Sequence, residues 1–410
     1  MSRNRKSNRK KKKQASRPNS GEAFTSYRKA MYGLLKKLKM EDCFQLFSKN
    51  DLRLLFAHRF RIRQPIAAEG SEVTARELHE IGRQIQIYYR TDTKMENLRF
   101  SLFEIQIAND LYWLIGSERI PKARREVLQE RFYDLLQMDS LDDNTIKAYL
   151  ICFFRVLTMV SDVRKKYYSL VFRAAAVFPD DPTLEFVTEI SAYPARSKLF
   201  EIGGHNRPAF QVGMPQMNGS MKWILLPSNL LGHHYQGRDT ELKVYIQSHA
   251  LNRLAERLDL LDEAAIRYSF WENTQSIESF EFYRDYLLLP YKLHDIKIGY
   301  LAAKVVDGVI VFRTFLFITH SSTPEGDRLK QISGLEWNDI SYWRIDRLST
   351  FLQADPEKYP GLAGLFKQAG IDDIFQLREE DLNIQAMQEA NLEGLMNYIQ
   401  QGQQETLLPV

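Results

Sequence analysis

The sequence predicts an α+β protein with an N-terminal α-helical bundle, a C-terminal domain of helix and antiparallel sheet, and a disordered basic tail at the N-terminus. Three observations predict this class. Apolar residues recur at helical spacing in the first half, Pro and Gly concentrate over residues 177–220, and short strand-like segments follow. At roughly 150 residues per domain, the 410 residues suggest two or three domains.

The predicted tail spans residues 1–20 and is strongly basic. Residues 1–18 hold nine Lys or Arg and no acid. Such a polar segment cannot bury enough apolar surface to offset its ordering entropy, and clustered cations bind phosphate backbones. The partner predicted by this charge is nucleic acid, with RNA as the leading class. The candidate nucleic-acid-binding residues are Arg9, Lys10, Lys11, Lys12 and Lys13.

The basic character is confined to the start of the chain. The first 66 residues hold nineteen Lys or Arg and four acids, a net +15, so the remainder carries −11 within the total of +4. No uncharged apolar run approaches the ~20 residues that span a bilayer. We therefore expect no membrane partner and a cytoplasmic location.

Helical periodicity covers two segments of the first half. Residues 21–66 are predicted as a basic helical segment, and residues 72–176 as an α-helical domain. In the first segment apolar residues recur at steps of three and four. They are Phe24, Tyr27, Met31, Leu34, Leu35 and Leu38.

The second half has a different pattern. Residues 177–220 are predicted as a linker, residues 221–355 as an α+β domain, and residues 356–410 as a C-terminal helical tail. Asp307–Gly308 is a type I′ hairpin signal between two strand-like segments. The segment 249–268 is predicted as one helix, and Ser341 to Phe351 as another.

The helix that begins near residue 249 carries the functional hypothesis. Ser248 is a plausible N-cap, and at 100° per residue the leucines fall on one side. His249, Arg253, Glu256 and Arg257 fall on the other. Two arginines at i,i+4 favour an anion between them, either Glu256 or a bound phosphate. Their charges and the helix dipole favour a neutral imidazole at His249, which can act as a general base.

The segment Ser248 to Arg257, SHALNRLAER, resembles the helix that opens small ribonuclease-toxin domains of the BrnT and RelE kind. In those domains a strand leads into a helix with a His, Arg, Glu and Arg pattern, and a meander of strands follows. The resemblance covers residues 241–320.

This resemblance implies a metal-independent cut of RNA in which a base activates the ribose 2′-hydroxyl. On that analogy His249 is the base, Arg253 and Arg257 hold the phosphate, and His320 is the acid. Arg313 lies within a predicted strand, where a charge is unusual, and is a weaker candidate for the same site.

Two other functions stay open at the level of sequence. One is a non-catalytic interaction protein with a tethering tail. The other is a metal-dependent hydrolase that uses His233, His234 and Asp239, although no metal-binding spacing supports it. No glycine-rich nucleotide loop occurs, so no cofactor is expected. Trp337 and Trp343 are flanked by acids and are expected to pack the C-terminal helix rather than to stack on bases.

Overall fold

The structure is a computed structural model that describes residues 20–59, 61–95, 98–133, 141–178 and 181–379. The predicted tail with Arg9 to Lys13 lies outside the described residues. So does the part of the predicted C-terminal helical tail beyond residue 379. The described residues combine helices and sheets, which confirms the α+β class.

The secondary-structure elements alternate between helical and strand-rich stretches. The α-helices of the described residues are α1 (Ser20–Lys37), α2 (Lys49–His58), α3 (Ala75–Arg90), α4 (Leu102–Gly116), α5 (Lys122–Arg131), α6 (Leu141–Val160), α7 (Ser248–Arg257), α8 (Glu263–Thr274), α9 (Pro324–Ser333), α10 (Trp337–Tyr342), α11 (Leu348–Gln353) and α12 (Pro360–Ala369). Short 3₁₀ helices cover Glu41–Leu46, Ser228–His234 and Asp372–Glu379.

The strands are β1 (Arg61–Ile62), β2 (Ile66–Ala67), β3 (Asp92–Met95), β4 (Leu98–Ser101), β5 (Lys166–Phe178), β6 (Asp181–Pro194), β7 (Ser197–Ile202), β8 (His205–Gln211), β9 (Gly213–Pro215), β10 (Met221–Trp223), β11 (Leu225–Pro227), β12 (Glu241–Gln247), β13 (Glu281–Tyr283), β14 (Tyr286–Leu293), β15 (Ile296–Val306) and β16 (Val309–Phe317).

The chain divides into two compact units. The first unit comprises Met1–Arg63, Ile85–Cys152 and Arg173–Val187. The second unit comprises Gln64–Gln84, Phe153–Phe172 and Thr188–Val410. None of the helices among the described residues is long and apolar enough to cross a membrane.

The first unit has a helical core. The predicted stripe on α1 is confirmed at its centre, where Tyr27, Met31 and Leu35 are buried. They belong to one apolar cluster with residues of α4 such as Leu111 and Leu114. Burial of an apolar side chain contributes about 1.5–3 kcal/mol, so this shared face stabilises the helices more than their intrinsic propensity does.

Two predictions for the middle of the chain are wrong. The segment 72–176 is not wholly helical, because β3 and β4 form a hairpin and Lys166–Phe178 is strand β5. The segment 177–220 is not a linker, because it contains β6 to β9. A short apolar run fits a buried strand as well as a helix, and turn residues such as Gly203 and Gly204 connect paired strands.

The second unit is built on an eight-stranded sheet. Its strand order is β13-β14-β15-β16-β12-β8-β7, with β11 also paired to β12. The Asp307–Gly308 hairpin is confirmed between β15 and β16, and both residues have positive φ, as a type I′ turn requires. The expected purely antiparallel sheet is wrong in one place, because β12 pairs with β16 in parallel.

Three helical predictions in the second unit need correction. The single helix over 249–268 is two helices, because Asp262 caps a new helix by accepting a hydrogen bond from the backbone of Ala265. The helix over Ser341 to Phe351 is also interrupted, by Arg344 with φ 57°. Residues 356–379 are not a separate tail, since Phe366 and others of this stretch lie in the core of the second unit.

Candidate functional site

Strand β12 leads directly into helix α7 and fixes how its side chains are presented. Gln247 is the N-cap and Ser248 the first helical residue, so the expected cap at Ser248 is wrong by one position. Leu254 and Leu258 are buried in the main apolar cluster. His249 on the opposite side is exposed. The amphipathic division predicted for this helix is therefore confirmed, except at Arg257, which is buried.

The polar side of α7 forms one wall of a cleft with a volume of about 330 Å³. Strands β8, β12, β14 and β16 and the start of α10 supply the other walls. The lining residues are Arg207, Gln247, His249, Arg253, Arg257, Tyr286, Arg313, Thr314, Phe315, Leu316, His320, Ser322 and Trp337.

The cleft brings together all four predicted catalytic residues. His249, Arg253 and Arg257 come from α7, and His320 follows β16. Arg313 lines the same cleft, as the sequence suggested. The lining contributed by the described residues has four arginines and two histidines but no Asp or Glu. Such a surface attracts anions and repels cations.

Arg253 is held by a carboxylate beside the cleft. Its Nη1 donates to Oε2 of Glu256 at 2.6 Å. Arg347 donates to Oε1 of Glu256 at 2.9 Å and to the backbone oxygen of Glu256 at 2.8 Å. Partial burial raises the pKa of Glu256, but the hydrogen bond from Arg253 and the nearby guanidiniums outweigh this and lower it. Glu256 is therefore charged and compensates part of the arginine cluster.

Arg257 is fixed more deeply, through an ion pair with Asp346. Burial lowers the pKa of Arg257 and raises the pKa of Asp346, while each opposite charge counteracts the shift of the other. Oδ1 of Asp346 is buried without a hydrogen-bond partner. The pair positions Arg257 at the base of the cleft. Its side chain can therefore move less toward a ligand than the side chain of an exposed arginine.

Arg313 reaches the cleft because strand β16 carries a bulge. Ala302 pairs with Thr314 and Ala303 pairs with Phe312, so Arg313 is the extra residue without a partner on β15. Bulges re-aim side chains and occur often beside functional sites. Nε of Arg313 is buried without a hydrogen-bond partner. Arg313 makes no ion pair with any described residue.

Gln247 lies at the same level of the sheet as Arg313. The parallel pairing of β12 with β16 ends at Ile246 and Phe312, and Gln247 and Arg313 follow them. Gln247 is 3% exposed, and its Nε2 has no hydrogen-bond partner. No side chain caps the first turn of α7 either. Two unsatisfied donors and a helix N-terminus therefore lie together, which is the arrangement that binds phosphate oxygens.

His320 is held in a defined orientation. Its Nδ1 accepts a hydrogen bond from the backbone N–H of Ser322 at 3.0 Å, so the neutral ring carries its proton on Nε2. Its backbone oxygen accepts from Oγ1 of Thr323 at 2.7 Å. Gly326 permits this close approach of α9, since a Cβ there would overlap the carbonyl of His320. Burial, and then the charges of Arg257 and Arg253, lower the pKa of His320 to about 4.

His249 is the more accessible imidazole. Partial burial, followed by the charges of Arg253 and Arg207, lowers its pKa below the usual 6.5. Its ring is therefore neutral at pH 7, as the sequence analysis predicted. A neutral imidazole beside a phosphate-binding surface can accept a proton.

Arg207, Gln247 and Trp337 line the cleft but were not among the predicted candidates. Arg207 lies on β8, within the segment wrongly predicted as a linker. Gln247 follows Val244 to Ile246 at the end of β12, directly before a helix, and that polar residue at the strand end was the available signal. Trp337 was expected to pack the C-terminal helix rather than to stack on bases, and 49% of its surface is exposed.

The histidines proposed for a metal site are arranged differently. The rings of His233 and His234 are 4.2 Å apart, and His234 stacks on Phe282. Asp239 accepts a hydrogen bond from the hydroxyl of Tyr235 at 2.8 Å. In the described part of the chain, no group of three or more His, Cys, Asp or Glu is placed to hold a metal ion.

Comparison with models of protein families, with curated proteins and with solved structures found no match. The resemblance of residues 241–320 to the BrnT and RelE kind therefore stays a hypothesis. The geometry of the cleft is the basis for a functional proposal.

Proposed function

We propose that the cleft binds the phosphate backbone of RNA and is the active site of a metal-independent endoribonuclease. One observation carries the proposal. Among the described residues the cleft is lined by arginine and histidine without a carboxylate, and it contains the unsatisfied donors of Gln247 and Arg313. A phosphate supplies the acceptors that these donors lack.

The proposed cleavage step gives each of the two histidines of the cleft a separate role. His249 takes the proton of a ribose 2′-hydroxyl, and the resulting oxygen attacks the adjacent phosphorus. The bond from phosphorus to the 5′-oxygen breaks, leaving a 2′,3′-cyclic phosphate. Arg313 and Gln247 donate hydrogen bonds to the phosphate oxygens as negative charge develops on them.

The role of His320 differs from that implied by the resemblance. A pKa of about 4 leaves His320 neutral near pH 7, so it has no spare proton to transfer. Its Nε2–H instead donates a hydrogen bond to the departing 5′-oxygen, which takes its proton from water. Arg257 and Arg253 add positive charge behind the phosphate.

The basic tail contributes a second, sequence-independent contact. The nine cations of residues 1–18 have no acid among them. They bind phosphates along the RNA and raise its local concentration near the cleft.

A non-catalytic RNA-binding protein is the second candidate, and one observation favours it. The low pKa of His320 leaves the cleft without a protonated imidazole at neutral pH. The donors at Gln247 and Arg313 bind phosphate equally well without any reaction.

Cleavage of a mixed-sequence RNA by the purified full-length chain in the presence of a chelator tests the proposal. We expect His249→Ala to lower the rate at least about 100-fold, which is the usual contribution of a general base. His205→Ala, an exposed histidine outside the cleft, is the matched control. Equal cleavage by wild type and His249→Ala rejects the assignment of His249. Binding without cleavage by the wild type favours the second candidate, and loss of cleavage with chelator favours a metal-dependent hydrolase.

A further inference from the structure

Trp337 is an exposed aromatic residue in the lining of the cleft that we propose binds the RNA backbone. It is the first residue of α10 and lines the same cleft as Arg313 and His249. About half of its surface is exposed, at 49%. A large exposed aromatic ring beside a phosphate-binding surface is the combination used by proteins that bind single-stranded nucleic acids.

The ring of Trp337 lacks the contacts that the other tryptophans make. Four of the five tryptophans contact an aromatic ring or a cation among the described residues. These contacts are Trp113 with Arg119, Trp223 with Tyr167 and Arg196, Trp271 with Phe154 and Tyr268, and Trp343 with Tyr342. Within the same part of the chain Trp337 has no such partner. With 49% of its surface exposed, part of the ring is accessible to a ligand.

The acidic residues beside Trp337, Glu336 and Asp339, already make contacts within the protein. The backbone N–H of Glu336 donates to Oδ2 of Asp339 at 2.8 Å, and the Glu336 side chain pairs with Lys330 at 2.9 Å. These contacts hold the first turn of α10 and offset the charge of Glu336. The acids that flank Trp337 in sequence therefore do not oppose an anionic ligand as strongly as the sequence suggested.

We propose that the cleft selects single-stranded RNA by stacking an unpaired base on Trp337. This inference rests on the proposed function of the cleft. The bases of a duplex are stacked on each other and paired, so their faces are not available to a protein side chain. A phosphate held by Arg313 and Gln247 with a base on Trp337 requires a strand whose bases are splayed out.

Tyr286 is another aromatic residue of the cleft lining, but it is half-buried and its ring is engaged. Nζ of Lys304 lies 4.9 Å from its centre. We therefore assign the stacking role to Trp337.

The test measures the affinity of the full-length chain for a short mixed-sequence RNA with 2′-O-methyl groups, which cannot be cleaved. The same strand annealed to its complement is the second probe. We expect the wild type to prefer the single strand and Trp337→Ala to weaken single-strand binding about tenfold, equivalent to about 1.4 kcal/mol, with duplex affinity unchanged. Trp337→Phe keeps a ring and should retain most of the affinity. The tail is the same in every variant.

A control variant and a fluorescence measurement separate base stacking on Trp337 from a structural effect of its substitution. Tyr342→Ala removes another exposed ring of α10, 78% exposed and outside the cleft lining, and should leave both affinities unchanged. The wild type should lose tryptophan fluorescence on binding the single strand, and Trp337→Phe should bind without that change.

The outcomes distinguish the inference of base stacking on Trp337 from the proposed function on which it rests. Equal affinity for both probes, with no effect of Trp337→Ala, overturns the stacking inference and leaves RNA binding intact. Binding of neither probe by the wild type overturns the proposed function and the inference together.

Discussion

Arg257 and Asp346 form an ion pair in which only 8% and 5% of the respective side-chain surfaces are exposed. The pair joins the last turn of α7 to the segment before α11. It holds a guanidinium at the base of a cleft whose described lining contains no Asp or Glu. Among the described residues, Arg207 and Arg313 are the arginines of the cleft lining without such a partner, so a ligand can recruit them.

Removing Asp346 should destabilise the second unit. Asp346→Ala leaves the buried Arg257 guanidinium with the more distant Glu256, 3.7 Å away, as its carboxylate partner among the described residues. Loss of one member of a buried pair costs about 3–5 kcal/mol. Urea unfolding measures this change. Lys330→Ala, which breaks the exposed pair with Glu336, is the control and should cost about 1 kcal/mol or less. A similar small cost for both variants would show that the buried pair contributes little.

Arg313→Gln should weaken RNA binding without loss of stability. The side chain of Arg313 makes no hydrogen bond or ion pair with the described residues, so its replacement breaks no contact of this kind. Loss of one phosphate contact should reduce the slope of log affinity against log salt by about 0.7 for a single strand. Filter binding at several salt concentrations measures the slope, and urea unfolding measures stability. Arg238→Gln, an exposed arginine outside the cleft lining, should leave the slope unchanged. An unchanged slope for Arg313→Gln contradicts its role.

The contrast between Arg257 and Arg313 shows what the sequence was able to predict. Helical spacing was sufficient to place His249, Arg253 and Arg257 on one side of a helix, because a helix orients residues by local geometry alone. The partner of Arg257 is 89 positions later, and no local pattern connects them. Arg313 enters the cleft through a bulge, which depends on the pairing with β15 and is not encoded by the strand itself.

The pH dependence of cleavage should report the lowered pKa of His249. The base must be unprotonated, so a lowered pKa extends activity to lower pH. We expect the acid limb of kcat/KM, which reports the free enzyme, to have its midpoint below 6.5. Arg207→Gln removes one of the charges that lower the pKa and should move the midpoint upward. A midpoint above 6.5, or one that Arg207→Gln does not move, contradicts this electrostatic account.

Deletion of residues 1–18 should lower nonspecific RNA affinity and flatten its salt dependence. The segment holds nine Lys or Arg, each able to release a counterion from the RNA backbone. Affinity measured across a salt series tests this prediction, and the circular dichroism spectrum and the urea midpoint should stay the same. If the truncated and full-length chains have equal slopes, the segment makes no phosphate contacts.

The predictions for the middle of the chain failed because the local sequence pattern did not determine the structure there. Residues 166–178 form a long strand, and their apolar run fits a helix and a strand about equally well. The Pro and Gly residues after residue 177 were interpreted as a linker, whereas strands β6 to β9 occupy this region. Arg207 was missed with them. The hairpin at Asp307–Gly308 was predicted correctly because a type I′ turn depends on its own two residues.

Histidine NMR of the full-length chain, titrated with a single-stranded 2′-O-methyl RNA, tests the central claim most directly. We predict that the ring signals of His249 and His320 shift on binding, while those of His233 and His234 do not, because only the first two line the acid-free cleft. Substitution of each histidine by glutamine assigns the signals. If the signals of His233 and His234 move while those of His249 and His320 remain unchanged, RNA binds elsewhere and the cleft is not the functional site.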